Sequence, residues 1–136
     1  MEILSESPRK TQAVAEKLAQ KVKNGGVVCL YGELGSGKTT FIQGLAKALK
    51  IKRPITSPTF LMVRNYGNFY HLDLYRVEKE RDLETLGLDE IFESPTNIIA
   101  VEWAEKIKEF LPQKRFDIRF EIRDEQTRKI SIQERS

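Results

Sequence analysis

Eight consecutive residues have the types and the spacing of a phosphate-binding loop. The segment from Gly32 to Thr39 reads GELGSGKT and fits the pattern G-x-x-x-x-G-K-[ST] without a mismatch. An apolar run at residues 27–31 precedes it and a helix-like stretch at residues 40–49 follows it. That order of strand, loop and helix is what such a loop requires. The alternative is an ordinary glycine-rich turn before a helix, and the flanking elements favour a nucleotide-binding site instead.

The chemistry of phosphate binding explains why these residue types stand at these positions. Glycines allow successive backbone N–H groups to converge on phosphate oxygens at the positive end of the following helix. Lys38 is placed to reach the β- and γ-phosphates, and the Thr39 hydroxyl is placed to ligate a magnesium ion. Thr40 is expected to begin the helix rather than to contact the metal. The expected nucleotide-binding residues of this segment are Gly32, Glu33, Leu34, Gly35, Ser36, Gly37, Lys38, Thr39 and Thr40.

Glu102 is the candidate for the acidic group that a phosphate-binding loop needs near its metal ion. Four apolar residues, 98–101, carry it to the carboxyl end of a predicted buried strand, where ligands bind in α/β sheets. We expect it to serve the metal together with Thr39, to act through water, or to position the nucleophile. The alternative is an ordinary charge at a strand end. Trp103 beside it is a candidate nucleotide contact, with sealing of the core as the other interpretation.

A second carboxylate, Asp73, lies on another predicted strand. Leu72 and Leu74 share one face of that strand, while His71, Asp73 and Tyr75 share the other. An aspartate among large hydrophobic residues indicates a polar or cationic partner. We expect Asp73 to hold the water shell of magnesium or to orient the attacking water, against a purely structural hydrogen bond. For His71 a structural role is favoured over a role as a base.

Ser57 and Thr59 lie in a turn-like segment between the loop helix and the next predicted strand. A segment of this kind can fold over the γ-phosphate, ordering with the triphosphate and relaxing after hydrolysis. Thr59 is therefore a further candidate for nucleotide binding. The alternative is simple capping of a turn.

Composition limits the size and the setting of the protein. The chain has 136 residues, 40% hydrophobic and 32% charged, with a formal net charge of +3, which indicates one globular domain over residues 1–136. It carries no apolar run of membrane-spanning length and its first residues do not have the pattern of a signal peptide. A cytoplasmic location is expected. The single cysteine, Cys29, falls in a predicted buried strand, so packing is favoured over catalysis.

The rest of the chain is predicted to alternate between helices and strands. Ser7 and Pro8 have the types of a helix start, and Asn24 with two following glycines marks its end. Gly67 and Asn68 predict a hairpin, and an antiparallel hairpin makes the sheet mixed. The other predicted elements are strands at 60–66, 69–75 and 97–101, a helical stretch at 78–92, a helix at 104–111, and an antiparallel tail pair near 116–122 and 130–132 that closes the sheet. The expected fold class is α/β, a single-domain P-loop NTPase with a mixed parallel and antiparallel central sheet flanked by helices.

Five segments together resemble one family, TsaE, also called YjeE. The segments are residues 32–40, Ser57-Pro58-Thr59-Phe60, His71-Leu72-Asp73-Leu74-Tyr75-Arg76, Leu86-Gly87-Leu88-Asp89-Glu90 and Val101-Glu102-Trp103. They follow one another in order over most of the chain. Outside the phosphate-binding loop each segment is weak evidence alone, whereas the five in sequence are specific.

The resemblance implies an ATPase of bacterial tRNA threonylcarbamoyladenosine synthesis. Such a protein works with TsaD and TsaB, which attach threonylcarbamoyl to adenosine 37 of tRNAs reading codons that begin with A. Its contact with tRNA would be indirect, through the complex. By resemblance Lys38 and Thr39 would bind MgATP, and Thr39 and Glu102 would serve the metal. Asp73 and Trp103 would matter for turnover, and the segment from residue 57 to residue 60 would act as a switch.

Two other functions fit the motifs less well. A kinase for a small metabolite needs a lid with arginines over the transferred phosphoryl group, and Arg64, Arg76 and Arg81 lie in no recognisable lid. A nucleotide-dependent interaction module differs from an ATPase only in that binding alone suffices for its function. No Asn-Lys-x-Asp motif for reading guanine is present, and the choice of ATP comes from the resemblance.

Overall fold

The computed structural model describes residues 1–55 and 62–136. The strands in these ranges are β1 (Glu2–Ser5), β2 (Gly26–Tyr31), β3 (Val63–Tyr66), β4 (Phe69–Asp73), β5 (Ile98–Glu102), β6 (Arg115–Ile122) and β7 (Arg128–Arg135). The α-helices are α1 (Pro8–Val22), α2 (Lys38–Ala48) and α3 (Leu88–Glu93), and two 3₁₀ helices are η1 (Glu80–Leu83) and η2 (Ala104–Phe110). None of the helices in the described ranges is long and apolar enough to cross a membrane.

The strands form one mixed sheet in the order β1-β7-β6-β2-β5-β4-β3. Parallel pairing joins β2 to both β5 and β6, and joins β4 to β5. Antiparallel pairing joins β3 to β4, β6 to β7, and β1 to β7. The predicted α/β class with a mixed sheet is therefore confirmed, and the hairpin between β3 and β4 is antiparallel as expected.

The two faces of the sheet are covered by different helices. Helices α1 and α2 pack on one face together with Val28 and Leu30 of β2, whereas Cys29 belongs to the cluster on the opposite face with α3 and η2. Burial raises the pKa of the Cys29 thiol to about 12, as befits a packing residue. Ala100 lies on the α2 face. Because side chains alternate along a strand, Glu102 projects towards that same face.

Helices α1 and α2 position the phosphate-binding loop by packing closely against each other. The Ser7 side chain accepts a hydrogen bond from the N–H of Lys10 at 3.1 Å and Pro8 occupies the first turn, so the predicted start of α1 is confirmed. At Gly44 of α2, a Cβ atom would lie 2.7 Å from the Cα of Gln12 in α1. A side chain at residue 44 would therefore force the two helices apart.

The sequence analysis missed one strand and misplaced the tail pair. Residues 2–5 form β1, which the sequence analysis did not assign, because four residues with a single alternation carry little periodic signal. The tail pair does not close the sheet. Instead β6 lies beside β2 in the centre, and β1 forms the edge next to β7. The alternating Phe116, Ile118 and Phe120 pack into the core, and such alternation is the same for a central and an outer strand.

Several helices and strands begin or end at residues other than those predicted. Helix α2 begins at Lys38 rather than Thr40, and β4 ends at Asp73 rather than Tyr75. The charged helical stretch at 78–92 is divided into η1 and α3, and the helix at 104–111 is a 3₁₀ helix broken at Ile107. Of the predicted strand at 60–66, residues 60 and 61 lie outside the described residues, and β3 covers Val63–Tyr66 of the rest.

Candidate nucleotide-binding site

The loop at residues 32–37 connects the central strand β2 to the helix α2. Gly35 and Gly37 have backbone φ angles of 80° and 107°, a region that side chains other than glycine disfavour. A Cβ built on Gly35 would have no atom of the described residues within 4 Å. Among the described residues, the loop is therefore uncovered beside Gly35, at the N-terminal end of α2 where backbone N–H groups favour an anion.

Lys38 lies in the first turn of α2 and its side chain points into the site. Only 6% of the residue is exposed. Its Nζ donates a hydrogen bond to the carbonyl of Gly32 at 2.6 Å and lies 4.9 Å from the centre of the Trp103 ring. The ammonium group is therefore held between the loop and the end of β5.

The other loop residues differ in exposure. Glu33, Leu34 and Gly35 are exposed, with Leu34 at 90%. Thr39 and Thr40 lie in the first turn of α2 and are half-buried. Ser36 is buried, and its hydroxyl has no hydrogen-bond partner among the described residues.

Asp73 and Glu102 end two adjacent strands and lie directly opposite each other in the register of β4 and β5. Glu102 is 5% exposed. Burial raises the pKa of the Asp73 carboxyl above its ordinary value, and the carboxylate of Glu102 raises it further. The N–H of Tyr75, the imidazole of His71 and the ammonium of Lys38 act in the opposite direction. Two carboxylates thus share a small region in which more positive charge would be stabilising.

His71 is fully buried and its Nε2 lies 2.7 Å from Oε2 of Glu102. The structural role that the sequence favoured for His71 agrees with this burial. The sequence gives no signal for its partner, because Glu102 lies 31 residues further along the chain. Only the parallel pairing of β4 and β5 brings the two together.

Trp103 follows Glu102 directly and has a left-handed backbone, with φ at 63°. Such a conformation is uncommon outside glycine and is found where the surrounding structure enforces it, often at functional sites. Its ring lies near two ammonium groups, those of Lys38 at 4.9 Å and Lys106 at 5.5 Å, and 5.3 Å from the ring of Tyr75. Trp103 therefore contacts the loop lysine directly as well as packing beside η2.

A cavity of about 370 Å³ adjoins the loop, and neither Asp73 nor Glu102 is among the described residues that line it. Gly35, Gly37 and Thr40 line one wall, and the opposite wall comes from the start of α1 and the turn between β6 and β7. Arg128 in that turn region donates a hydrogen bond from Nη2 to the carbonyl of Gly35 at 3.4 Å. Sequence analysis missed this wall, because only the tertiary fold brings residue 128 to the loop.

The structure thus brings together Lys38, Glu102, Asp73 and Trp103 at the loop, with Thr39 in the adjoining turn. The predicted nucleotide contact Thr59, and the switch-like segment at residues 57–60, lie outside the described residues. Among the described residues, no three histidine, cysteine, aspartate or glutamate side chains form a group that could hold a metal ion.

The fold and the site define a class, an α/β protein with a phosphate-binding-loop sequence at the carboxyl end of a central parallel strand. The family model described as "Threonylcarbamoyl adenosine biosynthesis protein TsaE" matches residues 5–130. The chain belongs to the TsaE family.

Individual relatives agree with the family model over most of their length. The tRNA threonylcarbamoyladenosine biosynthesis protein TsaE of Bacillus subtilis is 45% identical over 116 residues, covering 82% of this chain and 72% of that protein. The protein of the same name from Aquifex aeolicus is 42% identical over 139 residues, covering 96% and 94%. The crystal structure of Bacillus subtilis YdiB matches with a TM-score of 0.84 at 34% identity, covering 100% of this chain and 86% of that one.

Proposed function

We propose that this chain binds and hydrolyses MgATP, and that it acts with TsaD and TsaB in forming threonylcarbamoyladenosine at position 37 of tRNA. The observation that carries the proposal is that the loop lysine and two carboxylates converge at the carboxyl ends of neighbouring parallel strands. Membership of the TsaE family supports the pathway. Contact with tRNA would be indirect, through the complex, and the expected location is cytoplasmic.

The loop has the features that a triphosphate requires. No described residue other than its two chain neighbours lies within 4 Å of a Cβ built on Gly35, and the α2 N-terminus supplies backbone N–H donors for a phosphate. Ser36 in the middle of the loop is buried, so the loop residues that face a bound phosphate are Gly35, Gly37 and Lys38. Lys38 needs only to exchange the Gly32 carbonyl for phosphate oxygens in order to neutralise charge on the β- and γ-phosphates.

The residues also fit a magnesium ion. Magnesium is commonly bound by one or two protein oxygens together with substrate phosphates and water, rather than by a complete protein cage. Thr39 and Glu102 are the proposed protein contacts, and the raised pKa of Asp73 indicates a site that a divalent cation would stabilise. When bound, the ion would offset charge on the phosphates.

The reaction we propose is in-line attack of water on the γ-phosphate. Lys38 and the loop amides stabilise the charge that spreads over the equatorial oxygens, which is the main contribution a protein makes to this step. Asp73 or Glu102 accepts a hydrogen bond from the attacking water and orients it. Trp103 covers the ammonium of Lys38 on one side and limits the access of water there.

The cavity of about 370 Å³ beside the loop is the proposed seat of the nucleoside. It continues from Gly35 and Gly37, so a nucleotide whose phosphates lie in the loop would extend into it. Arg128 and Thr11 are polar residues of its wall. Adenine is assigned by family resemblance.

Phosphate release from MgATP tests the proposal directly. The purified chain is assayed alone and then with TsaB, TsaD and tRNA, with Lys38→Ala as the matched variant, and threonylcarbamoyladenosine in the tRNA is quantified in parallel. The expected result is low basal release that rises with the partners and is lost in Lys38→Ala. A rate of phosphate release that does not change when the partners are added, or tRNA modification that persists with Lys38→Ala, would contradict the proposal. Modification supported by nucleotide binding without hydrolysis would identify an interaction module instead.

A further inference from the structure

His71 is a buried polar residue that the proposed reaction does not otherwise use. We infer that His71 is a positioning residue, whose Nε2–H holds one oxygen of Glu102 and thereby keeps the other oxygen in place for magnesium or its water. This inference rests on the proposed function and deepens it, since it names the group that orients the carboxylate on the metal side.

The contact between the two side chains is short and excluded from solvent. His71 is 0% exposed and Glu102 is 5% exposed, and the Nε2 to Oε2 distance is 2.7 Å. A hydrogen bond to a charged acceptor at this distance is stronger than a neutral one, and water cannot compete for it here. The bond therefore restricts Glu102 to one orientation.

The sheet places the two residues so that the bond can form. His71 lies opposite Ala100 in the register of β4 and β5, and Glu102 is two residues further along β5 on the same face. Ala100 is small, so the imidazole has room to lean along the strand towards Glu102. Asp73, two residues after His71, lies opposite Glu102 itself. His71 therefore holds Glu102 from a position within the sheet, whereas the proposed metal site lies beyond the carboxyl ends of β4 and β5.

The hydrogen bond between His71 and Glu102 indicates which ring nitrogen of His71 carries a proton. A carboxylate only accepts hydrogen bonds, so Nε2 of His71 carries the proton that it donates to Glu102. Nδ1 of His71 is buried and has no partner among the described residues. An apolar side chain would fill the same space without an unsatisfied nitrogen. Packing alone therefore does not account for a histidine at this position.

The consequence for chemistry concerns the second oxygen of Glu102. With Oε2 engaged by His71, Oε1 makes no hydrogen bond to another described residue, and its direction is set by the bond on Oε2. Residues that hydrogen-bond to a metal ligand commonly orient that ligand in this way. Loss of such a residue lowers metal affinity or activity by about 10–100-fold. We expect His71 to act on metal affinity and turnover, and to leave the binding of nucleotide without metal largely unchanged.

Three variants separate positioning from packing. His71→Leu keeps the buried volume and removes the donor. His71→Gln keeps an N–H at about the distance of Nε2, whereas the amide of His71→Asn is too short to reach Glu102. The measurements are Mn²⁺ binding to the ADP complex by electron paramagnetic resonance, ADP affinity without metal, turnover with partners present, and thermal unfolding.

The expected result is that His71→Leu weakens Mn²⁺ binding and turnover by about 10-fold or more, while ADP affinity without metal changes by less than about threefold. His71→Gln should recover most of the loss. In the background of Glu102→Gln, the change His71→Leu should add little, because the partner has already been altered. Equal metal binding in wild type and His71→Leu, or full additivity with Glu102→Gln, would overturn the inference.

The design also separates this inference from the proposed function. If the wild-type chain fails to bind Mn²⁺ with ADP, the proposed function fails and the inference fails with it. If wild type binds the metal and the His71 variants bind equally well, the inference alone fails. Should His71→Leu not fold, His71→Gln and His71→Asn decide, since only the former is expected to retain wild-type metal affinity.

Discussion

Asp73 has a carboxyl group whose ionisation the fold opposes. Burial and the adjacent carboxylate of Glu102 both raise its pKa, so the folded chain binds this proton more tightly than the unfolded chain does. The free energy of unfolding therefore falls as pH rises from the ordinary aspartate range through the raised pKa, and it stays reduced at neutral pH. We expect a bound cation to offset this loss of stability, because positive charge favours the ionised carboxyl group.

Replacing this carboxylate should raise stability and lower turnover. We expect Asp73→Asn to increase the melting temperature at pH 7.5 by on the order of 2 °C, because the amide keeps the hydrogen bond from the Tyr75 N–H without the charge. The gain should vanish below about pH 4, where wild-type Asp73 is also neutral. Turnover should fall by about 10²-fold or more. Thermal scans at several pH values test this, and a variant that is less stable than wild type at pH 7.5 would contradict it.

Trp103 is the only tryptophan of the chain, so its fluorescence reports on the loop lysine. Lys38 lies 4.9 Å from the ring in the nucleotide-free structure. MgATP should draw the ammonium towards the phosphates and change the emission.

Two lysine variants serve as matched controls. Lys38→Met should alter the resting emission and eliminate the response to MgATP. Lys106→Met removes the other ammonium near the ring, at 5.5 Å, and should alter the resting emission while keeping the response. A fluorimetric titration measures both. An unchanged response in Lys38→Met would show that Trp103 does not report on this lysine.

At the scale of elements, the close packing of α1 and α2 holds the loop in place. A methyl group at Gly44 would meet the backbone of Gln12 at 2.7 Å. We expect Gly44→Ala to destabilise by about 1 kcal/mol net, since overpacking of 1–3 kcal/mol exceeds the gain of about 1 kcal/mol in helix propensity.

The control for this substitution is Lys47→Ala, at an exposed position of the same helix. It should change the free energy of unfolding by less than about 0.5 kcal/mol. Urea denaturation of both variants provides the comparison. If Gly44→Ala proves more stable than wild type, α1 and α2 do not approach as closely as the structure indicates.

Element types were predictable wherever a local pattern was long or strongly marked. The start of α1 at Ser7 and Pro8 and the strand before the loop follow from capping chemistry and apolar runs. The edge strand β1 did not, because four residues carry too little periodicity. The position of β6 beside β2 was not predicted either. The alternation of Phe116, Ile118 and Phe120 indicates that one face of the strand is buried, but it does not indicate which strand lies next to it.

At the scale of the whole molecule, the site draws on elements that are far apart in sequence. The phosphate-binding motif, the end of an apolar strand and a carboxylate among hydrophobic residues led to Lys38, Glu102 and Asp73 respectively as candidates, and the fold brings these three together. The bond from His71 to Glu102 and the approach of Arg128 to Gly35 depend on sheet order. Sheet order is a tertiary property that no local spacing encodes.

The central claim, that the loop binds MgATP through Lys38 and the strand-end carboxylates, is tested most directly by calorimetric titration of ATP. Wild type, Lys38→Ala, Glu102→Gln and the control Lys47→Ala are compared with and without magnesium. We expect magnesium to tighten binding to wild type and to Lys47→Ala.

Lys38→Ala should weaken MgATP binding by about 10–100-fold, the value of a charged hydrogen bond of 1.5–3 kcal/mol. Glu102→Gln should keep binding of ATP alone and lose much of the magnesium effect. Equal MgATP affinity in wild type, Lys38→Ala and Glu102→Gln would contradict the account.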